Sequence, residues 1–138
     1  MGELVRFSIS MDKELVDAFD ALLHERGYTS RSEAIRDAIR DQLVRHEWEE
    51  GETVAGVITL LYDHHRPSLI QALLEIQHHT DVEIVSTTHV HLDPANCLEF
   101  IIVKGDARAI EALAHQLTSL KGVKHGKLTA TSTGRKLA

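Results

Sequence analysis

Residues 3 to 10 read Glu-Leu-Val-Arg-Phe-Ser-Ile-Ser, so that Val5, Phe7 and Ile9 alternate with Arg6, Ser8 and Ser10. Period two is the repeat of a strand, and it places the apolar set on one face and the polar set on the other. From there to about Glu50 the pattern is helical. Asp12 is positioned to cap a helix in which Leu15, Val16, Phe19, Leu22 and Leu23 follow three-four spacing, and Gly27 ends it. A second helix opens at Ser30 with Glu33 three residues on, a reciprocal capping box, and its buried set is Ala34, Ile35, Ala38, Ile39 and Leu43. A lone strand has two unpaired edges, and one strand with two helices buries too little surface to be secure. A second copy whose strand pairs antiparallel with the first answers both needs.

Gly51 stops the second helix, and the periodicities then change. Thr53 to Tyr62 is rich in β-formers, Pro67 to His79 has helical spacing, and Val82 to Leu92 alternates. After the turn Asp93-Pro94-Ala95-Asn96 come an apolar strand from Cys97 to Lys104, a helix from Asp106 to Leu120 and a last strand from Gly122 to Thr131. This β-α-β-β-α-β order is the split βαβ of ferredoxin-like folds, which makes the chain α+β with domains at residues 1–50 and 51–138. A single cysteine excludes a disulfide scaffold. No apolar run approaches the roughly 18 to 20 residues of a membrane span, and the first ten residues lack the features of a signal peptide, so the cytoplasm is expected.

Chemistry concentrates in His89-Val90-His91-Leu92-Asp93-Pro94-Ala95-Asn96-Cys97. Strand residues two apart share a face, so both imidazoles point the same way while Val90 and Leu92 are free to face the interior. The turn brings Cys97 alongside. Two imidazoles and a thiolate suit a first-row divalent ion, and the helix ending Gln77-His78-His79 offers a fourth ligand. Spacing does not name the ion: tetrahedral zinc is the default, whereas a planar set suits nickel(II) or copper(II). Glu99, on the same face as Cys97, is placed to orient an imidazole proton, Tyr62 adds a hydroxyl, and Gln77 joins this outer group. His64 and His65, after Asp63, offer at most weak binding of excess metal; His125 is unassigned.

Two copies of the N-terminal strand form a ribbon presenting Arg6, Ser8 and Ser10 twice. Such a ribbon fits the DNA major groove, and the start of the second helix at Thr29, Ser30 and Arg31 supplies amides and a cation for phosphate. Charge opposes a broad basic surface. Residues 1–50 carry 12 acidic and 7 basic side chains, against 9 and 8 in the remainder, for a net −6 overall. The acidic groups must face away from a duplex, and binding must be salt-sensitive.

The blocks Gly27-Tyr28 with Arg31-Ser32-Glu33-Ala34-Ile35-Arg36-Asp37, Gln77-His78-His79, His89-Val90-His91, Cys97-Leu98-Glu99, Lys104-Gly105 and Gly122-Val123-Lys124-His125-Gly126 closely resemble, in order, the nickel-responsive NikR repressors. The resemblance implies a ribbon-helix-helix domain joined to an ACT-like domain, and a homotetramer built as a dimer of dimers. It also implies one nickel(II) per subunit in a planar site made by His89, His91 and Cys97 with His78 of a neighbour. Glu33 and Asp37 match carboxylates that hold a further cation between domains in family members. The expected function is nickel-dependent repression at palindromic operator DNA, of nickel-uptake genes, without catalysis. The competing expectations are a metal-dependent hydrolase, for which no base or substrate pocket is evident, and an amino-acid-sensing ACT regulator.

Overall fold

The computed structural model describes residues 2–138, which divide into two compact units. One runs to Leu43 and takes in Leu137–Ala138; the other is Val44–Lys136. Met1 lies outside the described residues.

In the first unit, α1 spans Lys13–Glu25, and α2, Arg31–Glu49, begins there and continues past Leu43. Asp12 has the extended backbone of an N-cap, but its side chain makes no capping hydrogen bond. Gly27, at φ +76°, turns the chain out of α1 while the Tyr28 N–H donates to the Leu23 carbonyl at 3.0 Å. At the start of α2 only half of the expected reciprocal box forms. The Glu33 N–H donates to Ser30 Oγ at 3.2 Å, but the Glu33 carboxylate accepts from Thr29 Oγ1 at 2.9 Å.

The N-terminal strand expected at residues 3–10 is absent within the single chain: residues 2–12 hold no regular element. A strand exists through hydrogen bonds to a neighbouring strand, and the described residues of this unit contain none. Val5, Phe7 and Ile9 are correspondingly 76%, 70% and 57% exposed rather than packed on the helices. Leu15, Leu22, Ile39 and Leu43 are exposed too, so of the apolar helix faces expected to be buried much is open in one chain, while Leu23 and Ala34 are buried.

The second unit closes on itself. Its elements are β1 (Thr53–Tyr62), α3 (Pro67–His79), β2 (Glu83–Asp93), β3 (Asn96–Asp106), α4 (Ala107–Thr118) and β4 (Val123–Thr131). The strands make one antiparallel sheet in the order β2-β3-β1-β4. Along β1, Val54, Ile58, Leu60 and Tyr62 are buried, and along β3 so are Cys97, Glu99, Ile101 and Val103; the intervening positions are more open. These two rows share one face of the sheet by register. They form a core with Leu69 and Leu73 of α3 and Ile110, Leu113 and Leu117 of α4. Asp106 caps α4, accepting from the Ala109 N–H at 3.1 Å. Trp48, at the end of α2, joins this core and donates from Nε1 to the Thr131 carbonyl at 2.8 Å.

Candidate functional site

The register of β2 against β3 sets His91 opposite Cys97 and His89 opposite Glu99, while β1 against β3 sets Tyr62 opposite Cys97. All five side chains therefore share the helix-covered face of the sheet. This corrects one expectation. Val90 and Leu92 do not face that interior; they stand on the other face and are 41% and 57% exposed. Alternation separates the two sets, but α3 and α4 cover only one side, and it is the side of the histidines.

At the centre lies a carboxylate. Glu99 is 2% exposed, and its Oε2 accepts from Tyr62 Oη at 2.6 Å. Its Oε1 lies 3.5 Å from His89 Nε2 and 3.5 Å from Gln77 Nε2, which also donates to the Leu73 carbonyl at 3.2 Å. Burying a carboxylate is tolerable only with such partners. Burial first, and the Glu99 hydrogen bond second, push the Tyr62 hydroxyl well above its ordinary pKa, so it remains a donor. His89 Nδ1 lies 3.3 Å from Tyr62 Oη and 4.0 Å from Cys97 Sγ. The thiol itself is buried, at 1% exposure. Two soft-to-borderline donors with a hydrogen-bonded carboxylate behind them are the chemistry of a transition-metal site whose outer groups orient an imidazole. The expected outer set is thus brought together, with Tyr62 and Gln77 on the Glu99 carboxylate and His89 beside it.

The other residues expected as ligands are not gathered within one chain. His78 is exposed at the end of α3, its ring 5.3 Å from that of His79 in edge contact. His91 is exposed and lies flat against His64, with ring centroids 4.3 Å apart and planes inclined by 10°. Among the described residues, the group whose ligand atoms all lie within 4.8 Å of one another is Asp63, His64 and His65. Asp63 Oδ1 accepts from the His65 N–H at 2.9 Å, which holds its carboxyl below the ordinary range, and lies 3.1 Å from His65 Nδ1. Loss of solvent pulls the His64 ring below its usual pKa, as do the neighbouring charges of His65 and His91. The sequence brought these histidines into view only as loop neighbours. Their stacking on a ligand-bearing strand carries no sequence signal.

On the first unit, Arg6, Ser8 and Ser10 lie exposed in the segment without regular structure. Thr29, Ser30 and Arg31 are exposed around the start of α2. Arg31 is held side-on by Asp20 of α1, with Nε 2.8 Å from Oδ1 and Nη2 2.7 Å from Oδ2. Glu33 and Asp37 are already engaged by protein donors. Glu33 takes the Thr29 hydroxyl, and Asp37 takes the Tyr28 hydroxyl at 2.7 Å and Arg40 at 3.3 Å.

Two family models match this chain: the NikR C-terminal nickel-binding domain at residues 55–131, and the ribbon-helix-helix protein, copG family, at residues 5–46. Among curated relatives, a protein of Pyrococcus horikoshii called "Putative nickel-responsive regulator" is 56% identical over 136 residues, 98% of this chain and 99% of its own length. A protein of Pyrococcus furiosus with the same name is 56% identical over 133 residues, 96% of each chain. One of Nitratidesulfovibrio vulgaris, again so named, is 52% identical over 138 residues, 99% of each. Among solved structures, an uncharacterized protein of Thermotoga maritima superposes with a TM-score of 0.52 at 20% identity, over 59% of this chain and 100% of that one, a likeness of fold alone.

Proposed function

The chain belongs to the NikR family of nickel-responsive regulators, and from that premise we propose that it represses transcription by binding palindromic operator DNA when nickel is bound, with genes of nickel uptake as its targets. It is a nickel-responsive transcription regulator and not an enzyme, with a ribbon-helix-helix domain for DNA and an ACT-like domain for nickel. No helix among the described residues is long and apolar enough to cross a membrane, and we place the protein in the cytoplasm, where DNA is.

The observation that carries the proposal is the pairing of His91 with Cys97 and of His89 with Glu99 across adjoining strands. His89, His91 and Cys97 would hold one nickel(II) per chain, with His78 supplied by a neighbouring copy in a dimer of dimers. Exposure of His78 leaves it free for a neighbour. A ligand set divided between chains links metal occupancy to one arrangement of the assembly, and DNA affinity responds if that arrangement binds DNA better. Coupling of about 1–3 kcal/mol corresponds to roughly 5- to 150-fold in affinity. Arg6, Ser8 and Ser10 would read bases from the paired ribbon, and Thr29, Ser30 and Arg31 would meet phosphate. A further cation at Glu33 and Asp37 would have to displace the Thr29, Tyr28 and Arg40 contacts, and the nickel reading does not require it.

Gel shifts at fixed salt, with and without nickel, test the proposal. Nickel is expected to tighten operator binding, and Cys97→Ala to remove the difference. Equal affinity in both conditions rejects the switch. X-ray absorption of the nickel-loaded protein should show a sulfur neighbour, and an all-oxygen-and-nitrogen shell would place the ion elsewhere.

A further inference from the structure

Of the three residues at the start of α2 that would meet a phosphate, Arg31 and Thr29 are engaged by carboxylates of the same chain and Ser30 accepts a backbone N–H. Arg31 gives Nε and Nη2 to the two oxygens of Asp20 at 2.8 and 2.7 Å, the bidentate manner in which a guanidinium also takes a phosphate. Thr29 Oγ1 donates to Glu33 Oε2 at 2.9 Å, and Ser30 Oγ accepts from the Glu33 N–H at 3.2 Å. The Arg31 side chain is 61% exposed, so the ion pair sits where a polyanion can reach it. The Arg31 hydrogen bond holds the Asp20 carboxyl below its ordinary range, and the counter-charge therefore persists at neutral pH. Residues 1–50 have few cations to spare, 7 against 12 acids.

We propose that Asp20, assisted by Glu33, is an internal counter-charge that occupies the phosphate-gripping groups of the first unit and restrains its binding to DNA of any sequence. The proposal rests on the DNA-binding reading above. A phosphate that takes the Nε–Nη2 edge of Arg31 must displace the Asp20 carboxylate, and a guanidinium already neutralised releases little counterion from DNA. Exposed ion pairs are weak, so the restraint is modest: about two- to fivefold in affinity per chain.

The test is a salt series of binding to a mixed-sequence DNA duplex by the full-length nickel-loaded protein and its Asp20→Asn, Asp20→Glu, Arg31→Gln and doubly substituted Asp20→Asn/Arg31→Gln variants. Asp20→Asn should bind about two- to fivefold tighter per chain, with a steeper salt dependence. Asp20→Glu should keep the restraint, and Arg31→Gln should cost more affinity in the Asp20→Asn background than alone. Unchanged or weaker binding by Asp20→Asn, with equal cost of Arg31→Gln in both backgrounds, overturns the proposal. Where Asp20→Asn does not fold by thermal melting, Glu33→Gln replaces it: tighter binding supports the restraint, and unchanged or weaker binding rejects it. If the wild type binds DNA and the variants behave alike, the restraint alone falls. If no protein binds DNA in a salt-dependent way, the DNA-binding reading falls and takes the proposal with it.

Discussion

The two units spend their apolar residues differently. Val44–Lys136 buries Val54, Ile58, Leu60, Ile101, Val103, Ile110 and Leu117 to complete exclusion of solvent between a four-stranded sheet and its helices. In the unit that runs to Leu43, the buried apolar residues among those described are Leu23 and Ala34, while Val5, Phe7, Ile9 and Leu15 are more than half exposed. The sequences are not so different in apolar content locally. What differs is closure. A sheet with helices on one face satisfies its strands and its core within one chain, whereas an extended segment and two helices leave an apolar face and an unpaired backbone open. One unit therefore closes its core within the chain, and the other leaves its apolar residues open.

The largest expected effect is at a residue that looks free. Phe7 is 70% exposed in one chain, so a self-sufficient first unit would tolerate Phe7→Asp. If the unit is half of a dimer, the substitution buries an unpaired charge at about 3–5 kcal/mol per chain. Sedimentation should then show dissociation and gel shifts loss of DNA binding, while the transition of the second unit in calorimetry stays put. Next comes the closed core: Ile110→Ala should cost about 2–5 kcal/mol in chemical denaturation, independently of protein concentration. A concentration-dependent loss would mean that the second unit also depends on a partner for its stability. Tyr62→Phe is smaller, about 1–3 kcal/mol, because it removes the donor from buried Glu99 Oε2 and leaves that oxygen unpaired. A neutral result would show that Glu99 is protonated or otherwise satisfied.

The smallest effect is at the turn between β2 and β3. The Asn96 side chain first, and the Ala95 N–H next, hold the Asp93 carboxyl below its ordinary range. Since the folded value lies below the unfolded one, this contribution is complete above the unfolded value near 3.8 and is lost as pH falls through the folded value. Carboxyl NMR titration should place Asp93 below that reference, and Asp93→Ala should flatten the acid limb of the stability curve slightly. A carboxyl titrating at or above the reference would show that the turn is not held by Asp93.

Legibility varied with the same property. Thr53–Tyr62 and Pro67–His79 are found at the expected bounds, because Gly51 ends the helix before one and Pro67 opens the other. The gathering of His89 and Cys97 near Glu99 followed from period two and a tight turn. The half-formed capping box at Ser30 did not follow, because the Glu33 carboxylate takes the Thr29 hydroxyl instead. Nor was the Asp20 grip on Arg31 legible, since it joins different helices eleven positions apart in sequence. Val90 and Leu92 were assigned to the wrong side for a physical reason: alternation says which residues share a face, and only the packing of α3 and α4 says which face is covered.

Local repeat and punctuation were enough to determine the helices of the first unit, the elements of the second and their order, and the pairing of a histidine strand with a cysteine strand. These depend on short-range geometry, which a string of residues carries. Tertiary structure alone decided that Glu99 is the buried hub joining Tyr62, Gln77 and His89, that His64 lies flat on His91, and that carboxylates occupy the start of α2. Each of these contacts depends on the distance between groups far apart along the chain, and that distance is set by how the layers pack.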